Sequence, residues 1–178
     1  MPEKLLLPFE IEPGQDFIYS LGLVIYHWSL LEVTLSRFAT YLVIGPKKSL
    51  RGHLAAHMAF NGMPYRAVLG IIETIITLQH NKHKDEFKSL LKRIDSRAKK
   101  RHNLAHNLWV KTEKKDEYRI LKMKTVGVPK IIHTKTTLKQ LKMLAFELNR
   151  LSSEMFDFAE KLGLDIREPL SPDASPQK

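Results

Sequence analysis

Cysteine is absent from this 178-residue sequence. That excludes a disulfide framework, cysteine-ligated zinc and thiol nucleophiles, and it leaves the redox compartment open. No long apolar run is unbroken either: the most apolar stretch, residues 17–43, is interrupted by Ser20, His27, Ser29, Glu32, Thr34, Ser36 and Arg37. A lipid-facing span would not tolerate these, so no membrane segment is expected. Only Leu5, Leu6 and Leu7 separate Lys4 from Pro8, far short of the apolar core of a signal peptide, and the expected compartment is the cytoplasm. His53 and His57 have the spacing of helix-borne metal ligands, and His80 and His83 could add to them. No glutamate follows His53, however, so the zinc-hydrolase pattern is missing. The histidines are read as surface or interface residues, and neither metal nor cofactor is expected.

Acidic residues are scarce, with 19 Asp and Glu against 29 Lys and Arg, a net charge of +10. The imbalance is local. Lys82 to Arg150 carries 20 cations against 7 carboxylates, or +13, and leaves 9 against 12, or −3, for the rest. A concentrated positive block favours a polyanionic partner and speeds encounter with it in a salt-dependent way.

The length suits one domain with one core. Residues 1–14, with three prolines, read as an N-terminal arm. From Gln15, Leu21, Val24, Ile25, Trp28, Leu31, Leu35, Phe38 and Leu42 recur at three- and four-residue steps, which predicts a long amphipathic helix ended by Gly45-Pro46. A short helix over 49–60 and a third over 64–80 follow, the third with a stripe of Tyr65, Val68, Leu69, Ile72, Ile75 and Ile76 widened by Ile71 and Leu78. The fourth, from Lys84 towards Asn107, turns Phe87, Leu90, Leu91, Ile94, Ala98 and Leu104 inward and its lysines and arginines outward. Three short segments at 108–112, 118–125 and 130–136, rich in β-branched and aromatic residues, predict an antiparallel meander. Helical spacing returns over 137–162, and residues 164–178 read as a disordered tail. The fold class is mainly α: a bundle of about five helices, domain 15–163, with a small antiparallel β insertion (about 108–136) before the last helix.

The segment Arg101-His102-Asn103-Leu104-Ala105-His106 closes the basic helix. Cleaving RNA without a metal needs a base for the 2′-hydroxyl proton, an acid for the leaving 5′-oxygen, and donors for the charge building on phosphorus. Imidazole suits the first two tasks and the guanidinium fork the third. His106 is therefore the candidate acid/base and Arg101 the candidate phosphate binder. His102 and Asn103 would position substrate or water, and Lys99 and Lys100 would contact RNA. On an ideal helix Arg101 lies about 140° from His106. The backbone must distort, the arginine must reach around, or two copies must share one site across a dyad. Glu32, one turn after Trp28 on an apolar stripe, calls for a basic partner, with Arg101 or Arg97 the candidates.

This segment, after a helical bundle bearing Trp28-x3-Glu32 and before Trp109, resembles the Arg-x4-6-His motif of the HEPN superfamily, the nucleotide-binding domain of higher eukaryotes and prokaryotes. The resemblance covers roughly 15–162. Many members carry asparagine directly after the arginine, where this chain has His102 and places Asn103 one residue later. It implies an all-helical domain that dimerises with the motif at the interface and acts as a metal-independent endoribonuclease in toxin-antitoxin or phage-defence systems, with RNA and an antitoxin protein as partners. It equally implies the alternative found in inactive members, a non-catalytic module binding nucleic acid, nucleotide or a partner protein.

Overall fold

Glycine and proline set the ends of the elements, and the apolar periodicity fills them. The computed structural model of the chain describes residues 14–45, 50–114, 116–124 and 130–167. Within these lie α1 (Gln15–Ile44), α2 (Leu50–Asn61), α3 (Tyr65–Gln79), α4 (Lys84–Ala105), β1 (Leu108–Lys111), β2 (Glu117–Lys124), β3 (Lys130–Thr137) and α5 (Leu138–Lys161), with one 3-10 turn at Asn81–His83. A five-helix bundle with a three-stranded antiparallel sheet before its last helix is the expected architecture, and it is what the chain adopts. Gly45 ends α1 at a φ of 77°, open to glycine but costly for other residues, and its N–H returns to the Tyr41 carbonyl. Pro64 stands at the start of α3, where its missing N–H costs nothing and its carbonyl accepts from Ala67 and Val68.

The central helix is α1, which touches all four others. Its C-terminal half meets α4 and α5 through the tilted and edge-on rings of Phe38, Phe87 and Phe158. Ion pairs Arg93–Glu154, Arg97–Glu147 and Lys161–Glu86 fix α4 and α5 as antiparallel neighbours, since rising numbers on one meet falling numbers on the other. Trp28, Leu31, Leu35, Ile72, Ile94, Leu148 and Met155 are almost fully enclosed, each worth roughly 1.5–3 kcal/mol of burial. Among the described helices α1 alone is long and apolar enough to cross a membrane. Here its Phe17, Val24, Trp28, Leu31, Leu35 and Phe38 form the middle of the core.

The sheet runs in the order β1-β2-β3. Trp109 pairs with Ile120, which pairs in turn with Thr134, so these three share one face, turned towards the end of α4 and the start of α1. Phe17 anchors that face, 4.7 Å from the Trp109 ring and 4.1 Å from that of Tyr118. At the junction with α5, Thr137 and Gln140 form a reciprocal capping box, the side chain of each bonding the other's backbone N–H.

Several expectations are corrected. Ile25 and Leu78 are exposed, at 39% and 78%, because each lies at the flank of its stripe beyond the reach of a neighbouring helix. The domain does not stop at Gly163: the Leu164 N–H reaches the Ala159 carbonyl, and Ile166 is buried in the core. His53 is no surface residue, being 3% exposed beside the Tyr41 ring. Of the expected arm over 1–14, residues 1–13 lie outside the described residues, as does the tail from 168 onward.

Candidate functional site

The motif sits where α4 ends, and its own neighbours end it. His106 leaves helical geometry at φ −118° and ψ 13°, and its N–H still bonds the His102 carbonyl. The next two carbonyls are taken by side chains from beyond the helix: Asn107 Nδ2 donates to Asn103 O at 2.6 Å, and Trp109 Nε1 to Leu104 O at 2.9 Å. Two of the last carbonyls, otherwise orphaned, are thus satisfied, and the first strand is stapled to the motif. Neither Asn107 nor Trp109 stood out as a capping residue in the sequence, where Asn107 read as the end of the helix and Trp109 as part of the first strand.

Arg101 faces α1. Its guanidinium lies over the Trp28 ring, 5.7 Å from the ring centroid, and Trp28 is held from another side by an edge-on contact with Tyr65 at 5.1 Å. Arg101 Nε is buried and makes no hydrogen bond among the described residues, while the residue as a whole is half-buried. A guanidinium set on an aromatic face without a carboxylate partner keeps its charge available to an anion. His102 and His106 are both exposed, their ring centroids 4.6 Å apart. Among the described residues no hydrogen bond, ion pair or ring contact joins Arg101 to either histidine. The helix is regular through Ala105, so no distortion brings the two halves of the motif together.

The expected link from Glu32 to Arg101 or Arg97 is overturned. Arg97 points to α5 and grips Glu147 with two bonds, Nε to Oε2 at 2.6 Å and Nη2 to Oε1 at 3.1 Å. Glu32 is half-buried in a hollow between α1 and α3 beside Tyr65 and Asn61, with no ion pair among the described residues. The stripe edge supplies enough water for it to stand alone. The residue beneath Arg101 is Trp28, and the signal for it, an aromatic one turn before the acid, was already in the sequence.

Carboxylates divide the basic block of α4. Arg93 and Arg97 are tied to Glu154 and Glu147, and Lys99 to Asp95 at 2.8 Å. The Lys99 bond, aided by Tyr65 and Arg66, holds the Asp95 carboxyl below its ordinary range. Lys100 and Arg101 carry no ion pair among the described residues. Among the described residues, unpaired cations therefore stand at the motif, as they also do at Lys84, Lys88 and Lys92 further up the helix. The described residues include no cluster of three or more histidines and carboxylates fit to hold a metal ion. Neither a protein-family model, nor the sequence of a characterised protein, nor a solved structure matches this chain.

Proposed function

We propose that the protein is a metal-independent endoribonuclease whose site is shared between two copies of the chain. The observation that carries this reading is the pairing of an unneutralised guanidinium on Trp28 with two exposed imidazoles at the end of the same basic helix. In the reaction, His106 or its neighbour His102 takes the 2′-hydroxyl proton and returns one to the 5′-oxygen, while Arg101 holds the phosphate oxygens as charge builds. Asn103 positions substrate, and Lys100 adds to the field.

Support for a second copy comes from α1. Its outer face presents Ile18, Ile25, Tyr26 and Val33, between 39% and 58% exposed, around Gly22, where an added Cβ would meet nothing within 4 Å. This apolar stripe adjoins the motif, because Ile25 is one turn from Trp28. A dyad along it would set His106 of each chain near Arg101 of the other and bury surface that is costly to expose.

The test is incubation of RNA with the protein in EDTA. Cleavage ending in 2′,3′-cyclic phosphate, lost in His106→Ala and in Arg101→Ala, is expected. Identical behaviour of wild type and His106→Ala on a panel that includes tRNA would remove the enzyme. RNA binding weakened by Arg101→Ala without any product would instead favour the non-catalytic module, a reading that the separation of Arg101 from His106 within one chain supports. Toxicity on expression, relieved by His106→Ala, would support a toxin or phage-defence role and motivate a search for an antitoxin partner.

A further inference from the structure

Beside the motif, the end of α4, the β2–β3 face and the first turns of α5 enclose a hollow of about 390 Å³, within the range of about 300–1,000 Å³ common for small-molecule sites. Its floor is apolar, made by the buried side chains of Leu104, Ile120, Leu141 and Leu144. Its rim is polar. We propose that this hollow is a nucleotide pocket, the base lying on the floor and the phosphate meeting Lys100 at the rim. The inference rests on the ribonuclease reading only for its biological use and stands on its own chemistry.

Three features favour a nucleotide over a purely apolar ligand. First, the hollow is short of negative charge: its one lining carboxylate, Glu147, is held by Arg97, while Lys100 has no ion pair among the described residues and Lys135 contacts Glu117 on the sheet. Second, uncommitted amide groups border it. The Asn103 side chain makes no hydrogen bond among the described residues, only its carbonyl being used, by Asn107. The Gln140 carbonyl oxygen is spent on Thr137 N and the Thr136 hydroxyl, which leaves the amide NH₂. An amide that offers both donor and acceptor is the group suited to the edge of a base. Third, Asn103 belongs both to the hollow and to the motif. Lys100, Asn103 and His106 step round the helix by about 60° each. A strand whose base enters the hollow therefore carries its backbone over the end of α4 towards His106.

The probes are the four nucleoside 5′-monophosphates and a short 2′-O-methyl oligonucleotide, which 2′-hydroxyl attack cannot cleave, titrated into the full chain and followed by amide NMR shifts. Shifts concentrated at Lys100, Asn103, Thr134 and Gln140, with a preference among the bases, are expected. Thr134→Trp, which fills the hollow from an exposed strand position, and Lys100→Glu, on an exposed helix face, should each weaken binding about tenfold or more. Binding of a monophosphate as tight as that of the oligonucleotide identifies a free nucleotide as occupant. Binding of the oligonucleotide alone identifies single-stranded RNA. No shift at these amides at millimolar probe, or undiminished binding by both variants with wild-type circular dichroism, overturns the pocket. The two readings fail separately. RNA left intact by wild type while the hollow still binds nucleotide removes the nuclease alone. RNA cleaved by wild type while neither the monophosphates nor the oligonucleotide shift the amides of the hollow removes the pocket alone.

Discussion

The contact between Arg101 and Trp28 is the strut of the proposed site, and its energy can be measured without knowing the substrate. The guanidinium lies 5.7 Å from the ring centroid, within the roughly 6 Å at which a cation is held by an aromatic face, on a tryptophan 2% exposed. An exposed pair of this kind contributes about 0.5 kcal/mol and a desolvated one about 2. With the arginine half-buried, about 1 kcal/mol is expected. Trp28→Leu alone cannot report it, since truncation also loses packing and the edge contact with Tyr65, and would cost a few kcal/mol by itself. The double-mutant cycle of Trp28→Leu with Arg101→Met isolates it, because the packing loss appears on both sides and cancels. Urea unfolding followed by far-ultraviolet circular dichroism should give a coupling of about 1 kcal/mol, or roughly 2–4 °C between expected and additive Tm for a chain of this size. Additivity within about 0.3 kcal/mol would show that the guanidinium does not rest on Trp28 and would refute the reasoning. In the same series, Trp28→Phe, which keeps an aromatic face, should retain RNA cleavage that Trp28→Leu loses.

Thr137→Ala removes the side-chain half of the capping box on α5; it should cost about 1 kcal/mol and lower Tm by roughly 2–4 °C, with Thr137→Ser restoring most of it. Two groups should shape the dependence of stability on pH. The bond from Arg93 foremost holds the Glu154 carboxyl below the ordinary 4.5. Its stabilisation is therefore complete above that value and lost as pH falls through the lowered one, and Glu154→Gln should flatten the acid limb of a denaturation series. Burial first, and Arg37 second, depress His57 from 6.5. The unfolded chain then takes up the proton sooner, so stability should decline as pH drops below 6.5, and His57→Gln should remove that decline.

The fold was legible because each level of the sequence points the same way. Gly45-Pro46, Pro64 and the shift from helical to alternating patterning at Leu108 mark boundaries that the elements meet within about two residues, the usual scatter of such ends. Helical spacing resumes at Thr137, where the structure adds the capping box with Gln140. What was not legible depends on contacts between distant elements. Periodicity assigns Ile25 to an inner stripe, but only the placement of α3 and α4 decides that Trp28 is covered and Ile25 is not. The partner of Arg97 could not be read from the sequence, since Glu147 lies fifty residues away on a helix whose alignment with α4 is set by the intervening sheet. The pocket was hidden for the same reason: Lys100, Thr134 and Gln140 meet only when β3 folds back over the end of α4. The motif and Trp28 were visible as residue types, whereas the contact that sets the guanidinium of one on the ring of the other was not.

The separation of Arg101 from His106 leads to a test that single substitutions do not provide. If each site takes Arg101 from one chain and His106 from its dyad mate, then Arg101→Ala and His106→Ala proteins are each dead alone and partly active together. In a mixed dimer, one of the two sites lacks both groups and the other has both. Random exchange in an equal mixture makes about half the dimers mixed, and each carries one working site of two, so the recovered rate should be about a quarter of wild type. Refolding the mixture from denaturant ensures exchange, and light scattering establishes the dimer. Recovery near that fraction requires a shared site. A dimer that forms and exchanges but recovers no activity would place both groups in one chain, which would then require Arg101 to swing off Trp28 and around the end of α4 on binding RNA. The Trp28 cycle distinguishes that case, because a guanidinium that must leave its ring to act would be slowed, not helped, by a stronger hold: Trp28→Leu would raise cleavage where the shared site predicts its loss.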